Sequence, residues 1–255
     1  MYRHSSLTNA TDFRWTNAIR HLKTAVQPTI KSSVLLALLI APPCVVADDL
    51  EIVALASSDW WYHGTTETGG NPAIGFALDW EISDRVFAGI EAHQAEVDGP
   101  AQRHRSFLFY AGTGAPLTDD WYLSGIVSHR EFPGSGREWD STEFSVALDH
   151  IKGWTVSLDY SPNYYEHKTQ AWITELGYRR DLGERFFAYA SIGAVTLTSS
   201  RFTDYRFARV GGGVRWRRAV LDVSYRANSE GDSESFGAAA LSDPRVVGQL
   251  TWRIR

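Results

Sequence analysis

Two histidine arrangements are the first places to look for chemistry. His104-Arg105-Ser106 sets a serine two residues from a histidine. That spacing puts both on one face of a strand, where a hydroxyl nucleophile could meet a base. Such a base needs a third group to hold its tautomer. Pro116 stands about where an orienting Asn would be wanted, and the next Asn downstream is Asn163, three strands further on, so the triplet reads as polar rim. Glu91 and His93 share a second face, but the remaining histidines are scattered without metal-ligand spacing, and this pair reads as wall. Gly211-Gly212-Gly213 is not a phosphate cradle. It lies inside a strand pattern, where glycines mark a bend or close strand packing. The one cysteine, Cys44, precedes the expected leader cleavage point. The mature chain then has no thiol for a disulfide, a zinc site or a nucleophile. No catalytic residue, metal or cofactor is expected.

The charged side chains carry more information. Read by alternation, Asp79, Glu91, Glu143, Asp149, Asp159, Glu175, Arg179, Arg209, Arg215, Asp222 and Arg226 fall on one side of their strands. Acids dominate the earlier strands and arginines the later ones. On the inside of a closed barrel the two groups form facing arcs. They either pair and fill the interior or line a small aqueous pore. Buried charge survives only if paired or wet. At least one of Arg209 and Arg215 is therefore expected within salt-bridge reach of a lumen acid, with Glu143, Asp159 and Glu175 the first candidates. The alternative is a slip of alternation at Gly211–Gly213 that turns Arg215 to the rim.

Positioning these residues requires strands. Ten Trp, eleven Tyr and twelve Phe occur in a chain without a membrane-length apolar helix after residue 47. From Leu50 onward the chain alternates apolar with polar or small residues. Ile74, Phe76, Leu78, Trp80 and Ile82 share one face, with Ala73, Gly75, Ala77, Asp79 and Glu81 opposite. Trp154, Val156, Leu158 and Tyr160 likewise oppose Thr155, Ser157 and Asp159. Twelve strands are predicted, at 50–63, 72–82, 85–96, 104–114, 120–131, 140–150, 153–161, 169–180, 184–198, 203–217, 218–228 and 244–254. Most have about the ten residues that a tilted strand needs to cross a membrane. Hairpin-sized turns follow the even strands. Longer polar stretches follow the odd ones, such as 63–72, 95–105 and Asn228–Pro244. Transmembrane barrels have this asymmetry, with short periplasmic turns and long external loops. The predicted fold is all-β: a single antiparallel transmembrane β-barrel of about 12 strands, with both termini on the short-turn side. A soluble sandwich or lipocalin-like barrel shares the period of two, but not the turn asymmetry or a lumen face of small and charged residues.

Residues 1–47 read as a signal peptide, with 1–20 a possible extended n-region, and residues 48–255 as the barrel. Lys23 and Lys31 precede the apolar run Val34–Ala41, and Val45-Val46-Ala47 suits cleavage. Pro43 before Cys44 argues against lipidation. The leader holds five basic residues (Arg3, Arg14, Arg20, Lys23, Lys31) and one acid, Asp12. The remaining chain has 20 basic against 29 acidic residues, a net charge of −9, which argues against nucleic acid as a partner.

Ser58–Trp80, SDWWYHGTTETGGNPAIGFALDW, resembles the opening hairpin of the TorF family, porin-like proteobacterial outer-membrane proteins of largely unassigned function. Ser58-Asp59, Tyr62, Gly64, Thr65, Asn71-Pro72 and Asp79-Trp80 match that opening, and His63 stands where the family pattern has Arg. The resemblance runs loosely to the C-terminus. It implies an outer-membrane barrel, with outer-membrane lipid, lipopolysaccharide and the barrel assembly machinery as partners and no nucleic acid. The chain ends Leu250-Thr251-Trp252-Arg253-Ile254-Arg255, without the terminal aromatic that this machinery reads, so Trp252 is expected to serve in its place. The expected function is a porin-like channel for passive diffusion of small polar solutes. A non-conducting structural or adhesive barrel is the alternative. A third is an enzyme resembling the twelve-stranded outer-membrane phospholipases, whose Ser and His have the spacing of His104 and Ser106.

Overall fold

The computed structural model describes residues 49–96, 104–134, 139–165, 169–199, 203–229 and 244–254. The leader, its cleavage point and Cys44 lie outside the described residues. Twelve strands close into one antiparallel barrel. They are β1 (Asp49–Ser57), β4 (Ala73–Glu81), β5 (Val86–Ala95), β6 (His104–Pro116), β7 (Trp121–Glu131), β8 (Ser141–His150), β9 (Trp154–Tyr164), β10 (Thr169–Leu182), β11 (Phe186–Leu197), β12 (Tyr205–Trp216), β13 (Ala219–Asn228) and β14 (Arg245–Arg253). Two further short strands, β2 (Trp61–Tyr62) and β3 (Thr65–Thr66), form a separate hairpin. Every sequential pair is hydrogen-bonded, and β1 returns to pair with β14 from Val53↔Arg253 to Ser57↔Gln249. The five short turns and both described chain ends lie at one rim, and the strand ends that lead into the six longer connections lie at the other.

The side chains are sorted as the period of two requires. On β4, Ile74, Phe76 and Leu78 are outward and exposed, while Ala73, Ala77 and Asp79 are buried inside. On β9, Trp154, Val156 and Leu158 face out, and Ser157, Asp159 and Ser161 face in. Val146, Leu176, Ile192, Val210, Leu221, Val223 and Val246 extend the exposed apolar wall around the barrel. Trp154, Phe186, Trp216 and Trp252 ring it near the short turns, and Phe144, Trp172 and Tyr225 lie nearer the other rim. A soluble protein does not expose a continuous apolar belt while burying carboxylates and arginines. A barrel in lipid does both, with an outward apolar band between aromatic girdles.

The structure corrects two expectations. The first strand ends at Ser57, not at residue 63, and the stretch read as the first external loop turns inward as β2 and β3. The lumen face is also not confined to small and charged residues. Val53, Leu55, Phe87, Leu108 and Ile126 are buried inside on one side, and Ile173, Val195 and Leu197 on another. A long side chain fits inside where its neighbour on the next strand is small. The rings of Phe87, Tyr110, Phe187, Tyr189 and Phe207 lie over Gly112, Gly89, Gly213, Gly211 and Gly193, their cross-strand partners. The glycine triplet on β12 thus marks close packing. Its register against β11 runs unbroken, so Arg209, Gly211, Gly213 and Arg215 share the inner face.

Val146 is 54% exposed on the outer wall of β8. Val146→Arg should lower unfolding stability in lipid vesicles by about 2–4 kcal/mol, the cost of a cation near the bilayer midplane. Denaturant titration of the two proteins measures it. An unchanged midpoint would place this wall in water.

Candidate functional site

The chain between β1 and β4 builds the centre of the barrel. Tyr62-His63-Gly64-Thr65 makes a two-residue turn, with φ of 46° at His63 and 83° at Gly64. Two successive positive φ values are the signature of a type I′ hairpin, whose twist suits the flanking strands. Gly64 also lies tight against the wall at β12, because a Cβ there would lie 2.5 Å from Phe207 Cβ. The hairpin crosses the lumen. Tyr205 Oη donates to the His63 carbonyl at 3.0 Å, and Asn228 Nδ2 donates to the Gly64 carbonyl at 2.9 Å.

Two carboxylates of its own hold this insert. Asp59 organises it from within. It accepts from Trp61 Nε1 (2.5 Å), Thr66 Oγ1 (2.5 Å), Thr68 Oγ1 (2.8 Å) and the Gly70 N–H (3.3 Å), and Arg245 Nη1 reaches it from β14 at 3.1 Å. Glu67 ties it to the wall. Arg130 Nη1 lies 2.9 Å and His93 Nε2 2.7 Å from Oε2, and Tyr165 Oη donates to Oε1 at 2.9 Å. Glu67 and Arg130 are both fully enclosed. Burial alone would raise the Glu67 pKa. The Arg130 charge and the hydrogen bonds from His93 and Tyr165 outweigh it and hold the carboxyl below its ordinary 4.5. Burial drives the Tyr165 phenol well up, so it stays a neutral donor. Arg130 further donates to Ser106 Oγ at 3.1 Å and lies 4.2 Å over the Tyr62 ring. The serine of the His104-Arg105-Ser106 triplet is therefore a buried partner of a guanidinium, and Asn163 is engaged with Thr142 and Asp140 three strands away.

The eleven charged residues expected on the inner face all lie there, at different heights, with Asp149 buried on β8 and accepting from Thr155 Oγ1 at 2.6 Å. Glu143 meets the hairpin, accepting from Tyr62 Oη at 2.5 Å with His63 Nε2 at 3.2 Å. Glu91 is buried 3.5 Å from His93 Nδ1, so His93 stands between two carboxylates. Asp159 is buried on β9. Toward the short turns, Asp79 accepts from Tyr110 and Asp222 accepts from Tyr189 at 2.8 Å. Arg179 and Arg215 lie over the Phe187 ring and pair with Asp181, at 3.9 and 2.7 Å. Arg209 lies 3.9 Å from Glu175 and over the Tyr189 ring, and Arg226 Nε donates to Ser224 Oγ at 2.9 Å. Asp181 was not expected as the acid for Arg215. It follows Arg179 by two residues, so the same parity would have found it.

Arg130, Glu67 and Arg245 were not singled out from sequence, and Asp59 was named only as part of the TorF-like opening. Parity reveals Arg130, which is in step with Ser124, Ile126 and Ser128, and Arg245, in step with Val247 and Gln249. Nothing in the sequence separates Asp59 and Glu67 from residues of a solvated loop.

No family model and no curated protein matches the chain. Among solved structures, the KdgM porin superposes with a TM-score of 0.53 at 9% identity, over 81% of this chain and 100% of that one. A second KdgM structure, in complex with disordered oligogalacturonate, gives 0.51 at 8% identity over the same shares. The COG4313 outer membrane channel from Pseudomonas putida F1 gives 0.50 at 9%, over 84% and 98%. The likeness is one of fold.

Glu67→Gln should free the hairpin. It leaves the Arg130 guanidinium buried beside a neutral amide, a change that costs about 3–5 kcal/mol. Hydrogen exchange at residues 60–68 should accelerate while the barrel strands stay protected. Acid should act in the same direction. A carboxyl with a lowered folded-state pKa stabilises above its ordinary 4.5 and loses that contribution as pH falls through the lowered value. Exchange in the hairpin should therefore rise below about pH 4.5. Equal protection in Glu67→Gln and the parent protein would show that this carboxylate does not hold the insert.

Proposed function

We propose that the protein is a porin-like channel of the bacterial outer membrane that passes small polar solutes by passive diffusion. The observation that carries this reading is the charged inner wall. Arg179, Arg209, Arg215, Arg226 and Arg245 line β10 and β12–β14, and Asp79, Glu91, Glu143 and Asp159 line β4, β5, β8 and β9. Glu175 and Asp222 stand among the arginines and Arg130 among the acids, but each side keeps an excess of its own sign, which sets a transverse field that orients polar solutes and slows apolar ones. The inserted hairpin narrows the space between the two sides. The outward apolar wall and its aromatic rings support the outer-membrane location, as does the fold likeness to channel barrels. Lipid, lipopolysaccharide and the assembly machinery are the partners that such a location brings.

A closed barrel with a structural or adhesive role is the second reading, favoured by the enclosure of Glu67 and Arg130. The two readings separate in planar bilayers. The channel reading expects discrete conductance steps from the purified protein and larger steps when residues 60–70 are replaced by a short Gly-Ser bridge. Arg209→Gln should shift the reversal potential in a salt gradient toward cation preference. Current that is absent from both the intact and the shortened protein would leave the closed barrel.

A further inference from the structure

Strand register brings three arginines to one height. Arg209 on β12 is the direct cross-strand partner of Arg226 on β13, and Arg226 is the direct partner of Arg245 on β14. All three are on inner faces. Directly opposed side chains have Cβ atoms about 4.5–5.5 Å apart, and like charges there repel. Carboxylates stand at the two ends of this row, Glu175 at 3.9 Å from Arg209 and Asp59 at 3.1 Å from Arg245. Asp59 also serves four donors within the hairpin.

A cavity opens against this row, between the hairpin and the wall. Trp61, His63, Phe207, Glu175, Arg209 and Arg226 are among its lining residues. Its volume is about 30 Å³, room for about two waters or one carboxylate group. Arg226 is 4% exposed, and its Nε is fixed on Ser224. Arg209 is held over the Tyr189 ring at 4.9 Å. Both guanidinium planes are thus oriented before a ligand arrives, which reduces the entropy lost on binding. Guanidinium forks match planar oxyanions bidentately. Trp61 and Phe207 add apolar faces beside the charge.

We propose that this row and its cavity form a binding subsite for the oxyanion group of a small solute, with a carboxylate as the group that fits. The proposal builds on the channel reading by naming its solute class, but binding itself does not require conduction. The subsite stands beside the hairpin, so a solute bound there sits at the narrowed level of the lumen.

Calorimetric titration of the detergent-solubilised protein with malonate, and separately with inorganic phosphate, tests it. Malonate should bind. Arg209→Gln and Arg226→Gln should each weaken it about tenfold, a loss typical of one charge-assisted contact, and the double variant should abolish it. Arg209→Lys should recover part of the affinity, and Arg206→Gln, which changes an outward arginine on the same strand, should leave it unchanged. An unaltered circular dichroism strand signal confirms that each variant is folded. Phosphate binding more tightly than malonate, with the same dependence on Arg209 and Arg226, still supports the subsite and assigns it to phosphate-bearing solutes. Failure of both anions to bind, or equal affinity in the double variant, overturns it. Bilayer currents from the same preparations keep the two readings apart. Binding without current removes the channel and leaves the subsite, and current without binding does the reverse.

Discussion

Closure of the hydrogen-bond ladder is the constraint on which everything else rests. Pairing β1 with β14 leaves no open sheet edge, and only helices and closed barrels satisfy their backbone groups in hydrocarbon. Once the edge is gone, the outer wall can be wholly apolar, and Phe76, Val156 and Val246 need no polar neighbour. The inner wall faces the opposite requirement. Its space is shut off from lipid and narrow enough that a charge there meets protein before it meets bulk water. Every inward acid and arginine must then find either a partner or a bound solvent. The salt bridges at Asp181, Glu175 and Glu67 and the phenol donors at Asp79, Glu143 and Asp222 are local answers to that one demand.

The inserted hairpin is the most connected of these answers. Its own residues fix its shape through Asp59 and the turn at His63-Gly64, and its fit to the wall comes from elsewhere. Contacts come from β5 through His93, β7 through Arg130, β8 through Glu143, β12 through Tyr205, β13 through Asn228 and β14 through Arg245. Buried polar networks of this kind are strong when complete and costly when broken, because the lost partner leaves a desolvated group behind.

Much of the barrel was legible in the sequence, and the reason is geometric. A strand with one face in lipid and the other in a polar lumen writes its orientation into every second residue, so the strands around Ile74–Trp80 and Trp154–Tyr160 could be placed with the correct face outward. The same parity placed Asp79, Glu91, Glu143, Asp159, Glu175, Arg179, Arg209, Arg215, Asp222 and Arg226 on the inside. The hairpin was not legible. HGTTETGGNP has the composition of a solvated loop, and a polar lumen asks for that same composition. The large inner residues were also hidden. Phe87 or Tyr189 looks out of place on a small-residue face until the strands are registered and each ring is seen to lie over a glycine.

The position of the hairpin in the chain constrains the order of assembly. It connects β1 to the next wall strand, so it is made early, yet its partners are spread as far as Arg245. The seam beside it joins the earliest wall strand to the last, from Ile52 against Ile254 to Ser58 against Gly248. A polar plug carrying Asp59 and Glu67 cannot enter sideways through a sealed wall whose outer surface is hydrocarbon. It enters from the rim where β1 ends and β4 begins. Closure of β1 on β14 sets the strand that leads into the hairpin beside the strand that carries Arg245, which reaches Asp59 in the hairpin, so the seam and the plug share one side of the barrel.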